Sequence, residues 1–352
     1  MSSDLWRDIR AMRAAPAVLN EAHDKRVETY RAALRHAEEL GGAAAAAGYA
    51  SSALPLFYAM EQAGFAISAA KSTGLYPQRH GLKLNLDHRE KNILQGAVTP
   101  HGDGAFQAVC AALGSPSLAG AGELGALWAA NPDLKDVPRP PEFGSWHGPI
   151  DRMIGGRGIH QYQNPTFDST TEPITTGGFL GVEVPLAGAT ASEVAAALTD
   201  YPSLVGLTPI KQGPNGLIEA QPDDPVTRGP YGHGEDQRAA LGLPVPGSMA
   251  FAEYWELEDR LFPVIEVSPD HPLRPVPHLV GFALPAIAGG PAPHPFMLWW
   301  ALLFGLSCLV RYYPAAWARA IDPDRSRLAV SLERVLDIAA QKVPERIWMS
   351  LR

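Results

Sequence analysis

The chain has 352 residues, 46% apolar and 19% charged, with a formal charge of −8; that is the composition of a folded soluble protein, too long for one ordinary core. The charge is uneven: residues 1–91 hold 12 Lys or Arg against 10 Asp or Glu, residues 311–352 hold 8 against 5, and the middle holds 9 against 22. Long-range steering of the whole molecule toward nucleic acid or anionic lipid is therefore not expected, which leaves room only for a local basic site on the terminal regions.

Two cysteines, Cys110 and Cys308, cannot build a disulfide framework or a cysteine zinc site. The N-terminal MSSDLWRDIRAMRAAP has charges where a signal peptide needs an apolar run, so the expected location is the cytoplasm.

In chain order, Ser3 can cap a helix from Asp4 to about Arg13, which Pro16 breaks. A longer helix is expected from about Ala22 to Leu40, with Val27, Tyr30, Leu34 and Ala37 at helical spacing and an interruption at Gly41 and Gly42. Ser51 or Ser52 can cap a third helix, apolar on nearly every face from Leu54 to Ala70, with Pro55 in its first turn. LKLNL then alternates like a strand and ILQGAV can pair with it. Phe106 to Leu113 and Glu123 to Ala130 read as short helices, and residues 131–149, with five Pro, as a linker or extended strap.

Residues 150–290 have a different texture. GFLGVEVPL, FPVIEV and HLVGFALPAI are strand-like and SEVAAALTDY reads as a short helix, which makes an acidic mixed α/β insertion. Beyond it, Phe296 to Val310 pass fifteen residues without a charge and stop at Arg311. A membrane span needs about 18 such residues, so the run is read as a helix buried in protein. Pro314 opens a helix to about Ile321. Asp322 and Pro323 signal the start of another, which Pro344 is expected to end before a last turn.

The expected fold class is mainly α, a helical bundle formed by the N- and C-terminal regions with a mixed α/β insertion. The parts are an N-terminal helical region with a small hairpin at 1–130, the Pro-rich linker, the insertion at 150–290 and a C-terminal helical region at 291–352.

FGLSCLVRYYPAAW, the DPDRS cap and the VPERI ending resemble the C-terminal signature of the YaaC-like family of bacterial proteins. LPLFYAMEQAGFAISAA followed by RHGL resembles that family's N-terminal helix pair and His-Gly-Leu turn. The resemblance covers the two terminal thirds and implies an architecture rather than an activity. A helix pair ending at His-Gly is also similar to HEPN-type helical proteins. That likeness implies metal-independent ribonucleases or nucleotide-transfer partners of toxin and antiviral systems.

Such a ribonuclease pairs Arg with His, the one stabilising a charged phosphorane and the other moving a proton. Arg31 with His36 and Arg228 with His233 have the Arg, four residues, His spacing, but composition alone gives about 0.7 such matches. Arg79 and His80 are better placed, at the end of a buried helix pair and directly before Gly81. The structural alternative is a His that caps the helix end. Arg311 abuts fifteen apolar residues and must find a carboxylate, carbonyls or an anionic ligand. Glu61, in the most apolar part of the third helix, is the expected partner in a structural ion pair. If Arg311 faces His80 instead, the two make a phosphate site.

The candidate catalytic residues are thus His80, Arg79 and Arg311, with no metal site and no cofactor. The leading expectation is a binding or scaffold protein that docks a protein partner or its own copy, away from any membrane. The alternative is a HEPN-like ribonuclease or nucleotide-modifying factor acting on RNA or a nucleotide.

Overall fold

The computed structural model of the protein describes residues 2–16, 24–71, 79–87, 92–154, 180–183, 196, 199–202, 207–212, 217–222 and 280–351. They fall into two compact units, one from Met1–Gly148 with Ile287–Arg352 and one from Pro149–Ala286.

In the first unit, α1 (Ser2–Ala14) lies against α2 (Asp24–Ala46), and α2 forms a hairpin with α3 (Tyr49–Lys71). Arg26, in the first turn of α2, donates from Nε to the Ala69 carbonyl at 2.8 Å and from Nη2 to that of Ala70 at 3.1 Å. A cation thus caps the carbonyl end of α3, and the two helices run antiparallel. The interruption expected at Gly41 and Gly42 does not occur. A Cβ at Gly41 would lie 2.6 Å from Cζ2 of Trp6, so this glycine is where α1 approaches α2 rather than a break. α3 likewise starts earlier than expected, with the amides of Ser51 and Ser52 donating to the Gly48 carbonyl.

The centre of the unit is α6 (Pro295–Tyr312), which packs on α3, on α5 (Leu124–Ala130) and on α8 (Ala329–Leu351). It starts at His294, whose Nδ1 accepts from the Phe296 amide at 3.2 Å, and Pro295 to Leu309 are all buried. With 18 residues the helix is long and apolar enough to cross a membrane, so the length argument from the sequence does not hold; 83% of it is nonetheless buried inside the protein. Two glycines allow the close approach. A Cβ on Gly64 of α3 would fall 2.1 Å from Cζ3 of Trp300, and one on Gly305 would fall 2.3 Å from Cδ2 of Leu124.

Neither the start signal at Asp322 nor the stop at Pro344 acts as expected. Asp322 organises a turn, its Oδ1 accepting from the Asp324 amide at 3.0 Å, and α8 starts only at Ala329, after α7 (Pro314–Ala320). Pro344 lies inside α8, which continues to Leu351. Val343, Ile347 and Leu351 are all at most 1% exposed, and their burial outweighs the hydrogen bond that the proline ring removes.

The Pro-rich stretch is a strap. Pro132–Leu134 forms a single 3₁₀ turn with Leu134 fully buried, and Asp133 points inward. Its carboxylate accepts from Nε of Arg346 at 2.8 Å, from Nη2 of the same residue, and from Nε1 of Trp299 at 2.7 Å. Burial by itself would raise this carboxyl, but Arg346's charge and hydrogen bonds, the Trp299 bond and Lys342's charge hold it below the usual range.

A three-stranded antiparallel sheet completes the unit, with β1 (Leu82–Asn85), β2 (Ala97–Pro100) and β3 (Gly122–Glu123) in that order. The expected pairing of LKLNL with the following segment is present, Leu82 opposite Pro100 and Asn85 opposite Ala97. Its first residues, Ile93–Gln95, turn instead of pairing, because the Asn92 side chain accepts from the Leu94 amide.

In the second unit the described strands are β4 (Ile150–Ile154), β5 (Leu180–Glu183), β6 (Leu207–Gln212), β7 (Leu217–Pro222) and β8 (Val280–Ala283). They form an antiparallel sheet of order β6-β7-β5-β4-β8 with an irregularity between Pro209 and Lys211. β5 and β8 lie within the strands read from the sequence; FPVIEV and most of SEVAAALTDY lie outside the described residues.

Candidate functional site

His80 sits in a connection whose backbone is fixed from several sides. The carbonyls of Arg79 and His80 accept from the amides of Ala105 and Phe106 at 2.7 and 3.1 Å, the start of α4 (Ala105–Ala112). Gly81 follows with φ +78°, a conformation that favours glycine, and its carbonyl accepts from Nε2 of Gln107 at 2.8 Å. A Cβ at Gly81 would also fall 2.0 Å from Oε1 of Gln107. The imidazole is thereby presented to α3 and α6. Its ring lies edge-on to Phe57 at 5.7 Å and 6.1 Å from Phe304, and those two phenyl rings are themselves 5.5 Å apart.

Nδ1 of His80 is hydrogen-bonded to Oε1 of Glu61. An ionised carboxylate can only accept, so Nδ1 carries the proton and Nε2 is the nitrogen left for a ligand. The Glu61 side chain is 8% exposed and that of His80 42%, so the carboxylate is held inside the protein while the ring reaches solvent. The Glu61–Arg311 ion pair expected from the sequence is therefore not formed: His80 reaches the carboxylate first, from a turn that packs directly on α3.

Arg311 leaves the end of α6 beside this dyad. Its Nε donates to the Ser307 carbonyl at 3.3 Å, Nη2 to Ser307 Oγ at 3.3 Å and to Cys308 Sγ at 3.6 Å, and Nη1 to the Tyr58 hydroxyl at 3.3 Å. Its Cζ stands 5.0 Å from the Tyr312 ring centre and 5.9 Å from that of Tyr58. Among the described residues no carboxylate pairs with it, so its charge is spread over neutral acceptors and aromatic faces.

His80 and Arg311 line one open cleft of about 270 Å³ with Leu82, Lys83, Leu84, Phe304, Cys308, Tyr312 and Tyr313. Three cationic or protonatable side chains thus face a space whose neighbouring carboxylate is already engaged. Arg79 does not line this cleft; its side chain is exposed and its contribution is the backbone carbonyl that fixes α4. The Cys308 thiol is pushed up by burial, only partly offset by the Arg311 charge and by hydrogen bonds from Arg311 and Ser307, which makes it a poor nucleophile.

Arg31 is spent on the carbonyls of Arg13 and Ala14, at 3.3 and 3.4 Å, and His36 is exposed. Arg228 and His233 lie outside the described residues. Sequence reasoning missed Tyr58, Lys83 and Ser307. Tyr58 stands three residues before Glu61, on the same helical face, and Lys83 is one of the two outward residues of the alternating LKLNL.

Fold and site together define a helical-bundle protein with a His-carboxylate pair and an arginine free of any described carboxylate at one cleft. Over residues 271–351 the chain matches the family described as YaaC-like Protein, so the likeness read from its C-terminal signature is shown for that part. The match takes in α6, α7 and α8 and so supplies Arg311, while Glu61 and His80 lie outside it. No curated protein and no solved structure matches the chain.

Proposed function

We propose that this is a cytoplasmic protein that holds a phosphate group between His80 and Arg311 and moves a proton there, acting on RNA or a nucleotide as a phosphodiester-cleaving factor. The reading is carried by one observation: His80, backed by Glu61, and Arg311, without a described carboxylate, line the same cleft. On RNA, Nε2 of His80 takes the proton of a ribose 2′-hydroxyl as its oxygen attacks the adjacent phosphorus. Arg311 offsets the charge that grows on the phosphoryl oxygens, and the proton passes to the departing 5′-oxygen. The products are a 2′,3′-cyclic phosphate and a 5′-hydroxyl. Glu61 keeps the imidazole in the tautomer that this step needs.

The test is cleavage of a labelled single RNA strand by the whole chain, with and without a chelator. Removing the acid-base group by His80→Ala should lower the rate roughly 100- to 10,000-fold. Arg311→Ala should act in the same direction, and the chelator should change nothing. Full activity in both variants would end this reading.

A second reading, a scaffold that docks a protein partner or another copy, is favoured by the acidic middle of the chain set against basic ends. It expects complexes that light scattering resolves from the monomer and that dissociate with salt.

A further inference from the structure

Resting on that reading, we infer that the cleft takes one unpaired nucleotide, its phosphate between His80 and Arg311 and its base stacked on Tyr312. Tyr312 is 66% exposed, an aromatic ring left in water at the mouth of a charged cleft. The neighbouring Arg311 guanidinium, 5.0 Å from the ring centre, ties the ring to the phosphate site and gives it a fixed neighbour. Tyr313, one residue on, is anchored through its hydroxyl to the Leu86 carbonyl at 3.4 Å, so the backbone carrying Tyr312 is held against the sheet side of the cleft.

Size and charge select the ligand. A volume of about 270 Å³ is near the lower end of small-molecule sites, roughly 300–1,000 Å³. That is room for one nucleotide, and the base faces of a double helix are hidden by stacking and cannot meet a ring platform. Lys83, on the outward face of β1, adds a further cation beside His80 and Arg311. In a chain of net charge −8 this local excess selects an anion. A ring platform reads the flat face that every base has, so the preference is for single-stranded RNA or free ribonucleotides with little dependence on sequence.

Fluorescence anisotropy at fixed salt tests this with three labelled probes: a 2′-O-methyl oligouridylate that resists cleavage, an abasic ribose-phosphate strand of the same length, and a blunt RNA duplex. The wild-type chain should bind the oligouridylate roughly tenfold more tightly than the abasic strand. It should also bind it more tightly than the duplex. Tyr312→Ala should lose that margin without weakening the abasic strand, and Tyr312→Phe should keep it. Equal affinity for oligouridylate and abasic strand in the wild type overturns the inference, as does a Tyr312→Ala variant that keeps the margin. If Arg311→Ala then still weakens both strands, the base platform falls while the phosphate site stands; if the wild type binds neither strand, both fall.

Discussion

Adding a single methyl group at Gly64 should be enough to push α3 and α6 apart. A Cβ there would lie 2.1 and 2.5 Å from Cζ3 and Cη2 of Trp300 and 3.1 Å from Cγ2 of Val109. Carbon atoms rest at about 3.5–4.0 Å, so one side must yield by more than an ångström. The Trp300 ring has nowhere to turn. It is fully buried, with Phe106 and Phe296 set against it at 6.3 and 6.0 Å. Overpacking of this kind costs about 1–3 kcal/mol, and the stiffness of the ring places Gly64→Ala at the upper end. The better helix propensity of Ala returns about 1 kcal/mol, which leaves a net loss of about 2 kcal/mol. For a body of 150–250 residues that is a fall in Tm of about 4–8 °C. Gly42→Ala is the matched control, since nothing lies within 4 Å of a Cβ there and α2 is continuous through it. It should leave Tm unchanged or raise it slightly. The assay is thermal unfolding followed by tryptophan fluorescence. A Gly64→Ala protein that melts with Gly42→Ala would refute the close approach of the two central helices.

The buried Asp133–Arg346 pair should behave asymmetrically: Arg346→Ala strands a carboxylate and should cost about 3–5 kcal/mol, while Asp133→Leu with Arg346→Met should recover much of it in urea unfolding. Stability should also fall on acidification from about pH 6.5. His294, pushed down to about 3 by burial and then by the charges of Arg346 and Lys71, takes up its proton more readily in the unfolded chain. Its contribution is complete above its unfolded value and is lost toward pH 3, by at most about 1.4 kcal/mol per pH unit. His294→Asn keeps an acceptor for the Phe296 amide without a titrating ring, and should flatten that limb of the stability–pH curve. Asp133, held low by Arg346 and Trp299, adds an acid loss of the same sign below about pH 4. At the cleft, Arg311→Lys should bind oligonucleotide more weakly than wild type yet better than Arg311→Ala, since an ammonium keeps the charge without the planar fork that spans Ser307 and Tyr58.

The long-range architecture was legible where apolar residues crowd every face of a helix. Such surfaces must be covered by protein, and α3 and α6 pack on each other as well as on α2, α5 and α8. The β1–β2 pairing was legible from alternation in LKLNL. Glycine and proline misled. Gly41 marks a packing contact with Trp6, and Pro344 is carried by the burial of Ile347 and Leu351, and both are tertiary facts with no local signature. At the site, Glu61 and Arg311 stood out because each is a charge within or beside a long apolar run, and His80 because it ends the helix pair directly before Gly81. Which side chain takes the carboxylate depends on where Arg79–Gly81 is held, and the hydrogen bonds that hold it come from Ala105, Phe106 and Gln107, some 25 residues downstream.

The most direct measurement is a double-mutant cycle on the affinity for a single RNA strand, with His80→Ala, Arg311→Ala and the double variant. Two side chains on one phosphate should be coupled, the double variant losing less than the two single losses together by about 0.5–3 kcal/mol. Strictly additive losses, or no loss at all, would mean that the two residues do not share a ligand.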